Sequence, residues 1–476
     1  MFSDCSSLIS LDLSNFDSSL VTCMDYMFSG CRFLKSLNIT NLNTENVFDM
    51  KYMFSGCSSL LSINLDSFKT NKVKLMNGMF YGCESLTTLD ITNFETTITE
   101  NMSFMFYHAK SLLFLDILNF NTTNLEYMHY MFEGCESLTC IKISNFEVSK
   151  IKNFDSVFSG CSKLLFLNIS NFYTKNAISM RYFFNDCNSM EFIDISNFDT
   201  SLVTNFKNMF SGCNSLESLN ISHFKTSLVT SMEYIFSGCS SLKEISLDNF
   251  DTKFVTNMGH MFYGCSNLTS INLEFLDTSS VTNMEYMFYG CSTLKTININ
   301  DLNTTMVENM EGMLQKCSSL TILDLSSLDT NLTKNANNMF SDDINLVYIN
   351  FGNFENTNMQ MDNMFKETLA NIVFCFNKTT SPKLNYLMKR KRCAAVDCSN
   401  NWKKSRKKIV AKTNECFAEC PENYKFLYED KCYFRCPVGT FPDKYECKTS
   451  FNLSENENCT IQRYFMNMCK LNLKTS

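Results

Sequence analysis

Twenty-four cysteines and only four histidines bound the chemistry available to this chain of 476 residues. A cysteine works as nucleophile or metal ligand through its thiolate, which needs a depressed pKa and usually a partner base. The histidines, His108, His129, His223 and His260, are far apart in sequence, and none lies in an HExxH, phosphate-loop or nucleophile-elbow motif. The sequence therefore points away from an enzyme, with no catalytic residue, no metal ligand and no cofactor expected.

The cysteines form two populations. Twelve recur in step: Cys5, Cys31, Cys57, Cys83, Cys135, Cys161, Cys187, Cys213, Cys239, Cys265, Cys291 and Cys317. If each stands on its own coil, adjacent Cβ atoms lie about 4.8 Å apart, beyond the ~3.5–4.5 Å usual in a disulfide. They read as reduced packing residues, with bridged pairs or a metal as rival readings. Ten others are irregularly spaced near the C-terminus: Cys375, Cys393, Cys398, Cys416, Cys420, Cys432, Cys436, Cys447, Cys459 and Cys469. Cys416-x₃-Cys420-Pro421 is echoed by Cys432-x₃-Cys436-Pro437 in a stretch with little aliphatic content. Such a segment needs staples, so these ten are disulfide candidates. A zinc site is the rival, but the spacing is not C-x₂-C and residues 371–476 hold no histidine. Cys23 and Cys140 belong to neither population.

The elements that position these residues follow from an internal repeat. A Met-Phe-like pair recurs in a constant 26-residue step, its second member an aromatic at Phe2, Phe28, Phe54, Phe80, Phe106, Phe132, Phe158, Phe184, Phe210, Phe236, Phe262, Phe288 and Phe340 and a leucine at Leu314. Only the last step, to Phe365, is one residue shorter. Fourteen units without an insertion imply one stacked coil per unit. Counted from that aromatic, offset 3 is the cysteine column, and offsets 6, 9 and 11 are apolar throughout, as in Leu216, Leu219 and Ile221. Offsets 9 and 11 alternate with polar neighbours, the period of a half-buried strand. The end of the unit changes period: Val203, Phe206, Met209 and Phe210 have helical spacing, and a glycine two residues past the aromatic suits a helix C-cap. Each coil is expected to be a short strand, a turn and a short helix or 3₁₀ segment, making a rod of about 65–70 Å.

The L-x-x-L-x-L core is a leucine-rich-repeat signature. Residues 209–236 (MFSGCNSLESLNISHFKTSLVTSMEYIF) resemble the BspA-like leucine-rich-repeat surface proteins, and the resemblance spans residues 1–365. It implies a solenoid used for adhesion or ligand binding at a cell surface. The stretch CFAECPENYKFLYEDKCYFRCPVGTF resembles cysteine-rich ectodomain modules of protist surface proteins. The fold class expected is an α/β repeat solenoid with a disulfide-rich C-terminal module. The domains are 1–380 solenoid, closed by a strand at 372–376, 381–415 basic linker and 416–476 cysteine-rich module.

The net charge of −8 is uneven: residues 383–412 hold eleven Lys/Arg against Asp397, and the remainder carries −18. This argues against a nucleic-acid partner. KRKRCAAVDCSNNWKKSRKK (389–408) has the form of a bipartite nuclear-import signal, but also of a solvated basic linker. No apolar run approaches the ~18 residues that cross a bilayer. Membrane attachment would need a segment outside this chain, whose first residues fall in mid-repeat. Eleven N-x-S/T sequons permit glycosylation. The Asp/Asn column at offset 10 (Asp12, Asn38, Asn64, Asp90) reads as a polar strand face rather than a calcium ladder.

Three further expectations follow. Every offset-9 and offset-11 residue is buried on in-register parallel strands. Phe374 and Phe376 point inward, and Cys375 bridges to Cys393 or Cys398 over the sheet edge. Finally, offset 8, usually small or polar, becomes Phe114, Cys140, Phe166 and Phe192 in four successive coils. With Asp116, Lys142, Asn168 and Asp194 beside it and Leu118 at its edge, this apolar stripe is the candidate binding site for a protein or glycan on a cell or matrix surface. The function expected is extracellular or cell-surface binding; the alternatives are an intracellular or nuclear scaffold and a purely architectural surface-coat protein.

Overall fold

The computed structural model describes residues 1–351, 354, 356–369, 372–375 and 381–396, with short strands at 408–410, 416–417, 426–428, 431–433, 441–443 and 446–448. The chain divides into two compact units, Met1–Ile271 with Phe275–Ser280, and Asn272–Glu274 with Val281–Ser476.

In the first unit the alternating apolar residues produce the expected parallel strands in five coils, while the same stretch at 62–64, 88–90, 192–194, 218–220 and 244–246 forms none. β1 (Ser10–Asp12) pairs with β2 (Ser36–Asn38), and β3 (Phe114–Asp116) with β4 (Cys140–Lys142) and β5 (Phe166–Leu167), each strand facing the same position of the next repeat. Offset 11 is buried in all fourteen coils, Ile221 included. Offset 9 is buried in ten; Leu11, Ile63, Ile271 and Ile297 are half-buried. Leu11 lies on β1, which pairs on one side only; absence of a strand does not by itself expose the position, since Leu89, Ile193, Leu219 and Ile245 are buried outside strands.

The other side of the coil departs from expectation. It holds no helix among the described residues of 1–369, only tandem turns. Two residues four apart take left-handed backbone in each coil, such as Tyr26 (φ 52°) and Gly30 (φ 76°). A right-handed helix cannot pass through such residues. The N–H groups of Met24, Tyr26, Phe28 and Gly30 instead donate to Asp49, Lys51, Met53 and Ser55 carbonyls of the next coil at 2.7–3.0 Å, while Met27, Ser29 and Cys31 donate three residues back within their own coil. The backbone donors of Met27 to Cys31 are thus satisfied alternately within and between coils. The helix-like apolar spacing is the spacing of two successive turns. Glycine serves the left-handed position because it has no Cβ, and at Gly160 a Cβ would lie 3.2 Å from the Gly134 backbone.

The core between the two sides is built from columns. The rings from Phe2 to Phe262 stack coil on coil with centroids 5.5–6.0 Å apart. Each ladder thiol from Cys31 to Cys265 donates to the carbonyl of the aromatic 29 residues earlier, as Cys83 Sγ to Phe54 O at 3.2 Å. These cysteines are reduced and buried, and burial pushes Cys83 and Cys135 up to about 12. A buried threonine column is equally regular: Thr44 Oγ1 donates to Lys69 O (2.9 Å) and accepts the Lys69 N–H (2.7 Å), and Thr200 does the same with Lys225.

In the second unit β6 (Ile322–Asp324), β7 (Tyr348–Asn350), β8 (Ile372–Cys375) and β9 (Arg392–Val396) form one parallel sheet in that order. Tyr348 faces Val373, so the β7–β8 step carries the shortened last repeat, and Phe374 is buried as expected. Helix α1 (Pro382–Lys391) leads into β9, so part of the basic segment is helix and strand, and β9 covers the edge of β8 with main-chain pairing. A six-stranded sheet follows: β10 (Lys408–Val410), β11 (Cys416–Phe417), β12 (Phe426–Tyr428), β13 (Lys431–Tyr433), β14 (Phe441–Asp443) and β15 (Glu446–Lys448), in the order β11-β10-β13-β12-β15-β14. Phe376 and the side chains of the ten C-terminal cysteines lie outside the described residues, and with them the expected disulfides and the Cys375 bridge.

Candidate binding surface

β3, β4 and β5 bring Phe114, Cys140 and Phe166 into direct register, and Phe192 continues the column one coil on. Phe114 is 37% and Phe192 46% exposed; Cys140 and Phe166 are half-buried. Exposed Leu113 extends the apolar surface at offset 7. Lys142 reaches back one coil, its Nζ 2.6 Å from Asp116 Oδ2 and 5.3 Å from the Phe114 ring centroid. The ammonium fixes that ring's surroundings by charge and by its attraction to the ring face.

Asp116, Asn168 and Asp194 have a different task. Each accepts, on its side-chain oxygen, the N–H two residues on: Leu118, Ser170 and Ser196 at 3.0–3.2 Å. These are Asx turns that end the strand. The same bond recurs at offset 10 in Asp12, Asn38, Asn64 and Asp90, so the column makes corners rather than a calcium ladder. Offset 15 (Asn43, Asn121, Asn303) and the corner before the turns (Asp49, Asn101, Asn205) repeat it. Six sequons sit on these corners, with the Ser/Thr hydroxyl also donating to the asparagine Oδ1, as Ser103 to Asn101 at 2.7 Å.

The histidines are not brought together. His223 stands in a column filled mostly by asparagines such as Asn197 and Asn249, and like them bonds the preceding coil's carbonyl, Ile195 O at 2.9 Å. His129, its Nδ1 buried without a partner, meets Phe104 and Tyr130 edge-on, and burial lowers its pKa. Among the described residues Cys23, Asp25 and Asp49 come close enough to share an ion. There the Cys23 thiol donates to Asp25 Oδ1 (2.7 Å), and the Lys51 ammonium lies 2.9 Å from Asp49 and 3.6 Å from Asp25, so a cation already sits between the two carboxylates.

One surface was missed from sequence. Leu202, Leu228 and Phe254 occupy the same position eight residues before the aromatic in three successive coils, each 44–55% exposed. Elsewhere that column is mixed, polar at Asn46, Lys72, Asn124, Lys150, Asn176 and Ser280 but apolar at Leu20, Ile98, Met306 and Leu332, and a scan of it finds these three coils as its longest apolar run.

A family model described as "Mycoplasma protein of unknown function, DUF285" matches residues 1–113, 87–192, 178–272 and 267–373. The chain belongs to this DUF285 family. Its coil is the repeat unit described above. None of the curated proteins matches it. Thirty-two solved chains do. They include a leucine-rich repeat protein from Bacteroides ovatus (19% identity, TM-score 0.47, covering 80% of this chain and 88% of that one). They also include a leucine rich cell surface protein from Faecalibacterium prausnitzii (19%, 0.38, 62% and 74%). A third is the functional domain of InlJ from Listeria monocytogenes, which includes a cysteine ladder (15%, 0.19, 72% and 74%).

Proposed function

We propose that this DUF285 chain is a non-catalytic binding scaffold of the BspA-like kind, working at a cell surface or outside the cell and presenting its strand face to a protein or glycan. The observation that carries this reading is the run Phe114, Cys140, Phe166 and Phe192. Four successive coils carry apolar side chains, exposed at Phe114 and Phe192 and half-buried at Cys140 and Phe166, where Ser10, Ser36, Ser62, Thr88, Ser218 and Ser270 stand in other coils. Aromatic side chains held on a rigid sheet lose little entropy on binding and are typical anchors.

The test is binding of labelled protein to intact cells, with thermal unfolding measured in parallel. Replacing Phe114, Phe166 and Phe192 together by Ser should abolish binding and leave the fold intact, while Leu202, Leu228 and Phe254 to Ser serves as the control surface. Unchanged binding by a folded strand-face variant rejects the stripe as the site. Loss only in the control variant moves the site to the second column.

A further inference from the structure

The thiol column has one polar intruder. At offset 3 the coil of Phe340 carries Asp343 where eleven other coils bury a cysteine. Asp343 is completely buried, and neither carboxyl oxygen has a hydrogen-bond partner. Its surroundings offer no counter-charge. On its own coil stands Asp342, a second acid, in left-handed backbone (φ 66°). From the preceding coil comes Cys317, a thiol that burial keeps protonated. In the following coil the same column is filled by Thr368, whose hydroxyl donates to Phe365 O at 2.9 Å. Of the nearest cations in sequence, Lys316 is exposed and spends its ammonium on the Tyr289 hydroxyl at 2.6 Å, and Lys366 is also exposed. A lone carboxylate there would forfeit its hydration without repayment. A neutral carboxylic acid, by contrast, carries an O–H that can serve the Leu314 carbonyl as the thiols serve theirs.

We propose that Asp343 is a proton-controlled latch on the C-terminal coils of the second unit, closed as a neutral acid and opened by ionisation. Burial raises the carboxyl well above its ordinary value of 3.8, outweighing the opposing pull of the Cys317 backbone N–H, and the neighbouring Asp342 charge adds to the rise. The folded coil therefore holds a proton that the unfolded chain releases, so stability is full below about pH 4 and declines as pH rises. The position makes this consequential. Asp343 lies just before β7, on which β8 and β9 are laid down in turn, so loosening its coil loosens the cap on the sheet edge.

The experiment compares the full chain with Asp343→Asn and Asp343→Cys. Hydrogen exchange, corrected for its intrinsic pH dependence, is followed in peptides covering residues 314–375 from pH 4 to 8. One proton predicts that protection in the wild type falls relative to Asp343→Asn by up to about tenfold per pH unit above pH 4. Asp343→Cys restores the thiol column and should be better protected than wild type at pH 7. A variant-free reading accompanies it: acidifying the wild type from pH 7 to 5 should raise protection in residues 340–351 before the coils of the first unit respond. The latch is overturned if Asp343→Asn keeps the wild-type pH slope, if Asp343→Cys is less protected at pH 7, or if acidification leaves residues 340–351 unchanged.

Discussion

The strand side and the turn side of each coil face the same stacking problem and solve it differently. On the strand side the chain spends two or three residues per coil on parallel pairing, and in several coils no strand forms, as at Ile63. On the turn side the bonding is denser: alternate N–H groups from Met24 to Gly30 cross to the next coil, and the pattern recurs through the first unit. Beneath it lie the stacked rings and the thiol column. The turn side therefore carries more of the specification of this fold, and the strand side is left freer to vary at offset 8. A surface that can vary without unmaking the coil is where recognition can evolve.

The largest effect should come from breaking the ring column. Phe158 is fully buried between Phe132 and Phe184, 5.5 and 5.8 Å away. Phe158→Ala should cost ~3–5 kcal/mol in chemical denaturation, as large aromatic truncations do. Ile221→Ala on the strand side should cost ~2–4 kcal/mol, and an equal or larger loss than at Phe158 would reverse the ranking of the two sides. Next comes the threonine column. Thr200→Val keeps the shape but leaves the Lys225 N–H without its 2.7 Å acceptor, and a loss of ~1–3 kcal/mol is expected by thermal unfolding. The left-handed positions should answer with the opposite sign. Asn208, at φ 56°, gains about 0.5–1 kcal/mol on replacement by Gly if strain there outweighs chain entropy, whereas Gly160→Ala loses about 1–2 kcal/mol.

What the sequence disclosed divides along the same line. Alternation at Leu219 and Ile221, the constant repeat step and the parallel register were legible because a strand has one period and one buried face. The turn side was misread. Val203, Phe206, Met209 and Phe210 have the spacing of a helix face, and only the backbone angles reveal that left-handed Asn208 interrupts it, with left-handed Gly212 just beyond. An aromatic such as Tyr26 at a positive φ is uncommon enough that no composition rule suggests it. The stripe at Phe114 was found because its column was scanned; the one at Leu202, Leu228 and Phe254 lay in a column next to the supposed helix face, where exposed apolar residues were not sought. The threonine column was invisible for another reason: a buried hydroxyl looks like a surface one until its partner on the next coil is known.

The smallest effect concerns the corners. Asn101, Asn121 and Asn303 lie in sequons, yet each uses its Oδ1 to close an Asx turn and to hold the hydroxyl of the Ser or Thr two residues on. Asp90 makes the same two bonds to Thr92 where no sequon exists, at 3.0 and 2.7 Å. The motif is thus generated by turn chemistry, which wants an acceptor at the first position and a small hydroxyl at the third. Asn121→Asp keeps that acceptor and erases the sequon, so the unfolding free energy should move by no more than about 0.5 kcal/mol. Asn121→Ala erases both and should cost about 0.5–1.5 kcal/mol, the worth of the lost turn bond. The measurement is thermal unfolding of protein made in a host that does not glycosylate. If Asn121→Asp costs as much as Asn121→Ala there, the side-chain oxygen is not what turns this corner, and the recurrence of sequons at it needs another cause.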